Sequence, residues 1–165
     1  MTKKTAVKNL KHIKFLLLDV DGVMTDGGMY YSESGVELKR FNVQDGYGIV
    51  KLQKAGIPVG IITGQASKIV EKRAEELGIT EVYQNVQDKG EVYRSIKKKF
   101  ALKDEQIAYI GDDEFDVDVL KCVGFSAAPA NALPVVKKHV QYICSCTGGN
   151  GAVREVIDLL FTMLR

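Results

Sequence analysis

The chain has 165 residues, 45% of them hydrophobic, and 23 lysines and arginines against 21 acids, for a net charge of +2. This is enough for one domain with a sizeable core, and the near balance of charge gives no general ground for nucleic-acid or membrane partners. Cys122, Cys144 and Cys146 form an odd set without CxxC spacing, which argues against a disulfide framework or zinc site and for a reducing cytoplasm; the start MTKKTAVKNLKH lacks the apolar core of a signal peptide, and no stretch approaches a membrane span.

In chain order, the first element is IKFLLLDV, whose consecutive apolar residues predict a strand buried on both faces in the middle of a parallel sheet. It runs into Asp19 and Asp21. Residues two apart on a strand point the same way, so these carboxylates converge past its end, where two like charges raise a pKa or require a cation. An oxygen-liganded divalent ion such as Mg2+ suits them. A turn at Asp21-Gly22 is the plainer alternative. An EF-hand is excluded, because the glycine falls at the fourth loop position instead of the sixth and Tyr30 stands where a bidentate Glu is needed.

The connection to the first helix is far longer than the usual few residues. Within it GMYYSESGVELKRF predicts a hairpin turning at Glu33-Ser34-Gly35, which is marginal by itself and is expected to pack against something, such as other subunits. The helix GYGIVKLQKAG follows, with Asp45 a candidate N-cap. Then strands and helices alternate: IPVGIIT, SKIVEKRAEELG, EVYQ, KGEVYRSIKKKF, QIAYIGD, FDVDVLKCVG, FSAAPA, ALPVVKKH, VQYIC and a last amphipathic helix after GGNG. This pattern predicts an α/β fold with a mostly parallel sheet and helices on both faces. Gly56 and Gly78 stand where helices should stop, and Lys97-Lys98-Lys99 reads as a solvated helix end.

Ligands of an open parallel sheet bind outside the carboxyl ends of its strands. There the chain delivers Asp19 and Asp21, then Thr63-Gly64, then Asp88-Lys89, then Asp112, Asp113 and Asp116. Singly, Thr63 is a strand end, Asp88 a helix N-cap and the GDD triplet a capped turn. Together they suit phosphoryl transfer. A carboxylate can attack phosphorus, a cation and a lysine can neutralise the transferring group, a hydroxyl and backbone N–H groups can hold its oxygens, and a second carboxylate can move the protons. A receiver domain uses the same groups, but its lysine comes last; here Lys89 precedes Asp112 and Asp113.

With DVDGVMTDGG, IITG, Lys89 and GDDEFD in this order, the chain resembles the haloacid dehalogenase superfamily. Through DVDGVMTDG, GVELKRFNVQDGYGI, GDDEFDVDVL and GGNGAVREVIDLL it is similar, from about Ile13 to Leu160, to the 3-deoxy-D-manno-octulosonate 8-phosphate (KDO 8-phosphate) phosphatases. The resemblance implies a three-layer Rossmann-like core in a single domain over residues 1–165, a hairpin insertion at about 27–41 and no separate cap domain. It implies release of KDO and phosphate through an aspartyl phosphate, in lipopolysaccharide precursor synthesis. Asp19 would be the nucleophile, Asp21 the general acid and base, and Thr63 and Lys89 the phosphoryl holders. Mg2+ would lie on Asp19, the Asp21 carbonyl and Asp112, with Asp113 and Asp116 helping through water or hydrogen bonds. Asp21, Asn42, Val43, Gln44, Asp45, Gly46, Gly64, Arg73 and Lys89 would touch substrate, although Arg73 also reads as a solvated helix residue. A homotetramer is implied, its hairpins packed together and each site closed by a neighbour.

The chain departs from that family at three positions. Gln65 and Val50 stand where arginines are usual, and Asn150 where a base is frequent. Arginine is the natural partner of a carboxylate or phosphate. Arg73, Lys39, Arg40 or another subunit would have to compensate, or the substrate is a nine-carbon sugar acid such as KDN 9-phosphate. An oligomeric binding subunit without catalysis is the alternative of a different class.

Overall fold

The computed structural model describes residues 10–163, so most of the segment read for a signal peptide lies outside the described residues. Its centre is β1 (Phe15–Leu18), every residue of which is buried. β1 pairs in parallel with β4 (Val59–Ile62) on one side and β6 (Ile107–Ile110) on the other. With β5 (Glu81–Tyr83), β7 (Phe125–Ala128) and β8 (Tyr142–Ile143) they form a six-stranded parallel sheet in the order β5-β4-β1-β6-β7-β8.

The period-two alternation of a strand explains why β1 has no polar face. Leu16 and Leu18 enter a core shared with Ile49 and Leu52 of α1 (Val43–Lys54), Val70 and Ala74 of α2 (Lys68–Leu77), and Val153, Val156 and Ile157 of α6 (Ala152–Met163). Phe15 and Leu17 enter the opposite core with Tyr93 and Ile96 of α3 (Lys89–Lys99), Val119 and Leu120 of α4 (Val117–Cys122) and Val136 of α5 (Pro134–Lys137). Each fully buried aliphatic side chain contributes about 1.5–3 kcal/mol. The lysine run ending α3 is partly tied down, Lys97 to Asp104 and Lys99 to Glu81.

The long connection between β1 and α1 folds as predicted. β2 (Tyr30–Tyr31) and β3 (Glu37–Leu38) make an antiparallel hairpin apart from the main sheet, with a Thr25–Phe41 bridge at its base. Met29, Tyr31, Val36 and Leu38 on it are all more than half exposed. One helix start differs from expectation. α1 begins at Val43, capped by Asn42, whose side chain accepts from the Gln44 and Asp45 N–H groups. Asp45 lies inside the first turn, where it is bound elsewhere. Among the described residues no helix is long and apolar enough to cross a membrane.

Candidate active site

The carboxyl ends of β1, β4 and β6, together with the start of α3, enclose a cavity of about 220 Å3 lined by Asp19, Asp21, Thr63, Gly64, Gln65, Lys89, Asp112, Asp113 and Phe115. Asp19 follows β1 directly; its N–H donates to Ile110 O, extending the ladder by one residue and fixing the carboxylate at the sheet edge. Lys89 is the first residue of α3, started by Asp88, whose side chain accepts from the Glu91 N–H. Its ammonium is 2.9 Å from Asp19 Oδ1 and 2.6 Å from Asp116 Oδ1. Burial works against that charge, but the Asp19 and Asp116 carboxylates outweigh it and hold the lysine above its usual range.

Asp116 is fully buried and accepts from four donors: Lys89 and the Tyr109 hydroxyl at Oδ1, and the Asp112 and Asp113 N–H groups at Oδ2. Its Oδ2 therefore orders the loop that carries Asp112, while its Oδ1 is taken up by Lys89 and Tyr109. Asp113 caps the short turn Glu114–Asp116. Sequence reading took Tyr109 only as part of the run QIAYIGD and missed its hydroxyl. The available signal was a tyrosine in a fully buried strand, which needs a partner for its O–H.

Asp112 has the opposite character. Among the described residues its Oδ1 is buried without a hydrogen-bond partner. Burial, then Asp116 and Asp113, push its carboxyl up to about 7; burial and Asp116 push Asp19 up to about 8 against the pull of Lys89. One oxygen each of Asp19, Asp112 and Asp116 lies within 4.8 Å of the others. Concentrated, desolvated oxygen ligands with one carboxylate oxygen unpaired fit a hard divalent cation, which would favour the ionised forms. Gly22 makes the approach possible. It has φ +84°, and a Cβ there would lie 2.1 Å from Asp112 Oδ2. Gly148 in turn supports Gly22, since a Cβ on it would lie 1.8 Å from Gly22 O.

The remaining sequence candidates lie elsewhere. Asn42, Val43, Gln44, Asp45, Gly46 and Arg73 do not line this cavity. Asp45 is buried and accepts from the Arg154 N–H at 2.7 Å and the Gly151 N–H at 3.3 Å, latching α1 to the start of α6. Val43 is 83% exposed. Arg73 reaches Asn42 O and Glu76 and packs over Phe41. Arg40 binds Asp26, Gly149 O and Asn150. Val50 packs against the core, so no group at that position faces the Asp19 cavity. Gln65 does line it, and so does Phe115, an exposed ring that sequence reading passed over.

Fold and site together define a haloacid dehalogenase-like hydrolase: a parallel sheet with an acid pair after β1, a hydroxyl after β4, a lysine opening α3 and acids after β6. The model of that family, described as haloacid dehalogenase-like hydrolase, matches residues 61–157. A 3-deoxy-D-manno-octulosonate 8-phosphate phosphatase of Yersinia pestis is 46% identical over 154 residues, 93% of this chain and 82% of the relative. The solved structure of the Y. pestis phosphatase superposes with a TM-score of 0.94 at 45% identity, covering 96% of this chain and 85% of that one. That of the Moraxella catarrhalis phosphatase, in complex with magnesium, phosphate and KDO, gives a TM-score of 0.94 at 39% identity over 97% and 92% of the two chains. The chain belongs to the KDO 8-phosphate phosphatase family of the haloacid dehalogenase-like hydrolases.

Proposed function

We propose that this chain is a Mg2+-dependent phosphatase that hydrolyses KDO 8-phosphate to KDO and inorganic phosphate in the cytoplasm, its single domain spanning the chain with the hairpin inserted at about 27–41. The observation that carries it is the pairing of Asp19 with Lys89 beside the unpartnered Asp112 oxygen, in a chain this similar to KDO 8-phosphate phosphatases. Asp19, Asp112 and the Asp21 carbonyl would hold Mg2+; when bound, it neutralises charge on the transferring phosphoryl group. An Asp19 oxygen attacks phosphorus and the ester bond breaks, with Asp21 giving a proton to the leaving alkoxide. Water then attacks the aspartyl phosphate while Asp21 takes its proton, releasing phosphate and restoring Asp19. Lys89 balances the charge, while the Thr63 hydroxyl and the backbone at Gly64 hold phosphoryl oxygens.

Asp113 and Asp116 act through the loop hydrogen bonds described above. Contact of Asn42, Val43, Gln44, Gly46 and Arg73 with substrate is proposed across a subunit boundary, because none lines the chain's own cavity. Asp45 serves there by holding the segment to α6. The assembly proposed is a homotetramer built on the hairpins, supported by the exposed Met29, Tyr31, Val36 and Leu38, a run of large apolar residues unusual for a free surface. Light scattering at micromolar concentration should return the mass of four chains; a monomer would end this part of the proposal.

Phosphate release with Mg2+ should favour KDO 8-phosphate over KDN 9-phosphate and a simple hexose phosphate by about tenfold or more in kcat/KM, and EDTA should abolish it. Gln65 lines the cavity where the family usually has arginine, which favours the nine-carbon substrate as second reading. Preference for KDN 9-phosphate would move the assignment there. No metal-dependent release from any substrate would leave a binding subunit without catalysis.

A further inference from the structure

The hairpin sends one lysine back to the site. Lys39, directly after β3, buries its side chain to 5% exposure and brings Nζ to 2.6 Å from Asp21 Oδ1 and 3.1 Å from Glu37 Oε1. Most of the insertion separates residues 21 and 39, so this ion pair ties the returning arm of the hairpin to the carboxylate two residues beyond Asp19. An exposed lysine pair holds little, because both ions keep their water and wander. Lys39 has given up most of its water and stands between two carboxylates, so it restrains whatever it binds. With its ammonium engaged in this way, it is poorly placed to receive a substrate carboxylate, the compensating role the sequence left open for it.

Asp21 needs such a restraint. It precedes a glycine at φ +84°, lies outside any helix or strand, and its side chain has no hydrogen bond among the described residues other than the one from Lys39. Lys39 engages one of its oxygens, while the residue lines the cavity. An acid–base group must come within about 2.6–3.2 Å of the proton it moves, and a misplacement of about 1 Å costs on the order of 100-fold. We propose that Lys39 is a positioning residue for Asp21, holding one carboxylate oxygen so that the other meets the leaving-group oxygen. The proposal rests on the phosphatase reading and makes the hairpin part of the chemistry as well as of any assembly.

The test compares kcat/KM, which covers steps through loss of the leaving group, for KDO 8-phosphate and 4-nitrophenyl phosphate with Mg2+. An alkoxide needs the proton from Asp21; 4-nitrophenolate departs without it. Lys39→Met should lose roughly 10- to 100-fold on the sugar phosphate and less than about threefold on the aryl phosphate. In an Asp21→Asn background the same change should cost nothing further on either substrate, because its effect runs through the missing carboxylate. Equal losses on both substrates, an additive loss in the double variant, or no loss at all would overturn the role of Lys39 while leaving the phosphatase reading intact. A wild-type chain inert toward both substrates would overturn that reading and the role with it.

Discussion

Replacing Asp19 with asparagine is expected to lower phosphate release by a factor on the order of 10,000 or more while the chain remains folded. An amide matches the carboxylate in shape but has no nucleophilic oxygen to offer phosphorus. The fold should tolerate the change for reasons visible around the residue. The Asp19 N–H bond to Ile110 O belongs to the main chain and persists. Lys89 loses one partner but keeps Asp116 at 2.6 Å, so no buried ammonium is orphaned. Removing one of three carboxylates whose oxygens lie within 4.8 Å also relieves repulsion in the cation-free protein. Thermal midpoints without Mg2+ should therefore match or exceed wild type, and the increase on adding Mg2+ should shrink. Near-normal turnover in this variant would remove Asp19 as the nucleophile; a collapsed melting curve would show that its charge is structural.

The sheet and the cavity lining were legible for local reasons. An apolar run such as FLLL has few uses besides a strand covered on both sides, and acids just past such a run must lie at the sheet edge. Thr63, Lys89 and Asp112 follow by the same argument, since each ends or follows a strand. The hairpin was legible because the connection was too long and its residues too β-prone for a loop. What the sequence concealed depends on contacts distant along the chain. Asp45 was read as a cap or substrate contact; its carboxylate instead binds the Gly151 and Arg154 N–H groups at the start of the last helix. Nothing near residue 45 announces that partner. Lys39 was one charge among several in GVELKRF, and only the closing of the hairpin brings it to Asp21. Asp116 was read as a helper to the site, but the number of donors it satisfies became visible only when β6, α3 and the GDD loop were assembled.

That concentration of donors makes Asp116→Ala the substitution expected to cost most in stability, about 3–5 kcal/mol, or roughly 6–20 °C in thermal midpoint for a chain of this length. The aspartate is fully buried, and its removal leaves the Asp112 and Asp113 N–H groups and the Tyr109 hydroxyl without their acceptor. Of its two carboxylates Lys89 would keep Asp19, the group proposed to be phosphorylated, beside the Tyr109 hydroxyl at 3.4 Å, so the ammonium would be least compensated when the phosphoryl group is in transit. Activity should fall with stability, because the Asp112 loop loses the bonds that order it. Asp116→Asn separates the two effects. Its carbonyl oxygen can still accept from the loop N–H groups, but its NH2 then presents donors to Lys89 and Tyr109. The loop should hold better than in the alanine variant while Lys89 is displaced, giving a smaller drop in midpoint with a comparable loss of turnover. Denaturation curves and phosphate-release rates for the two variants decide the matter. If Asp116→Ala melts within about 2 °C of wild type, corresponding to less than about 1 kcal/mol, the four hydrogen bonds are not what holds this edge of the sheet together.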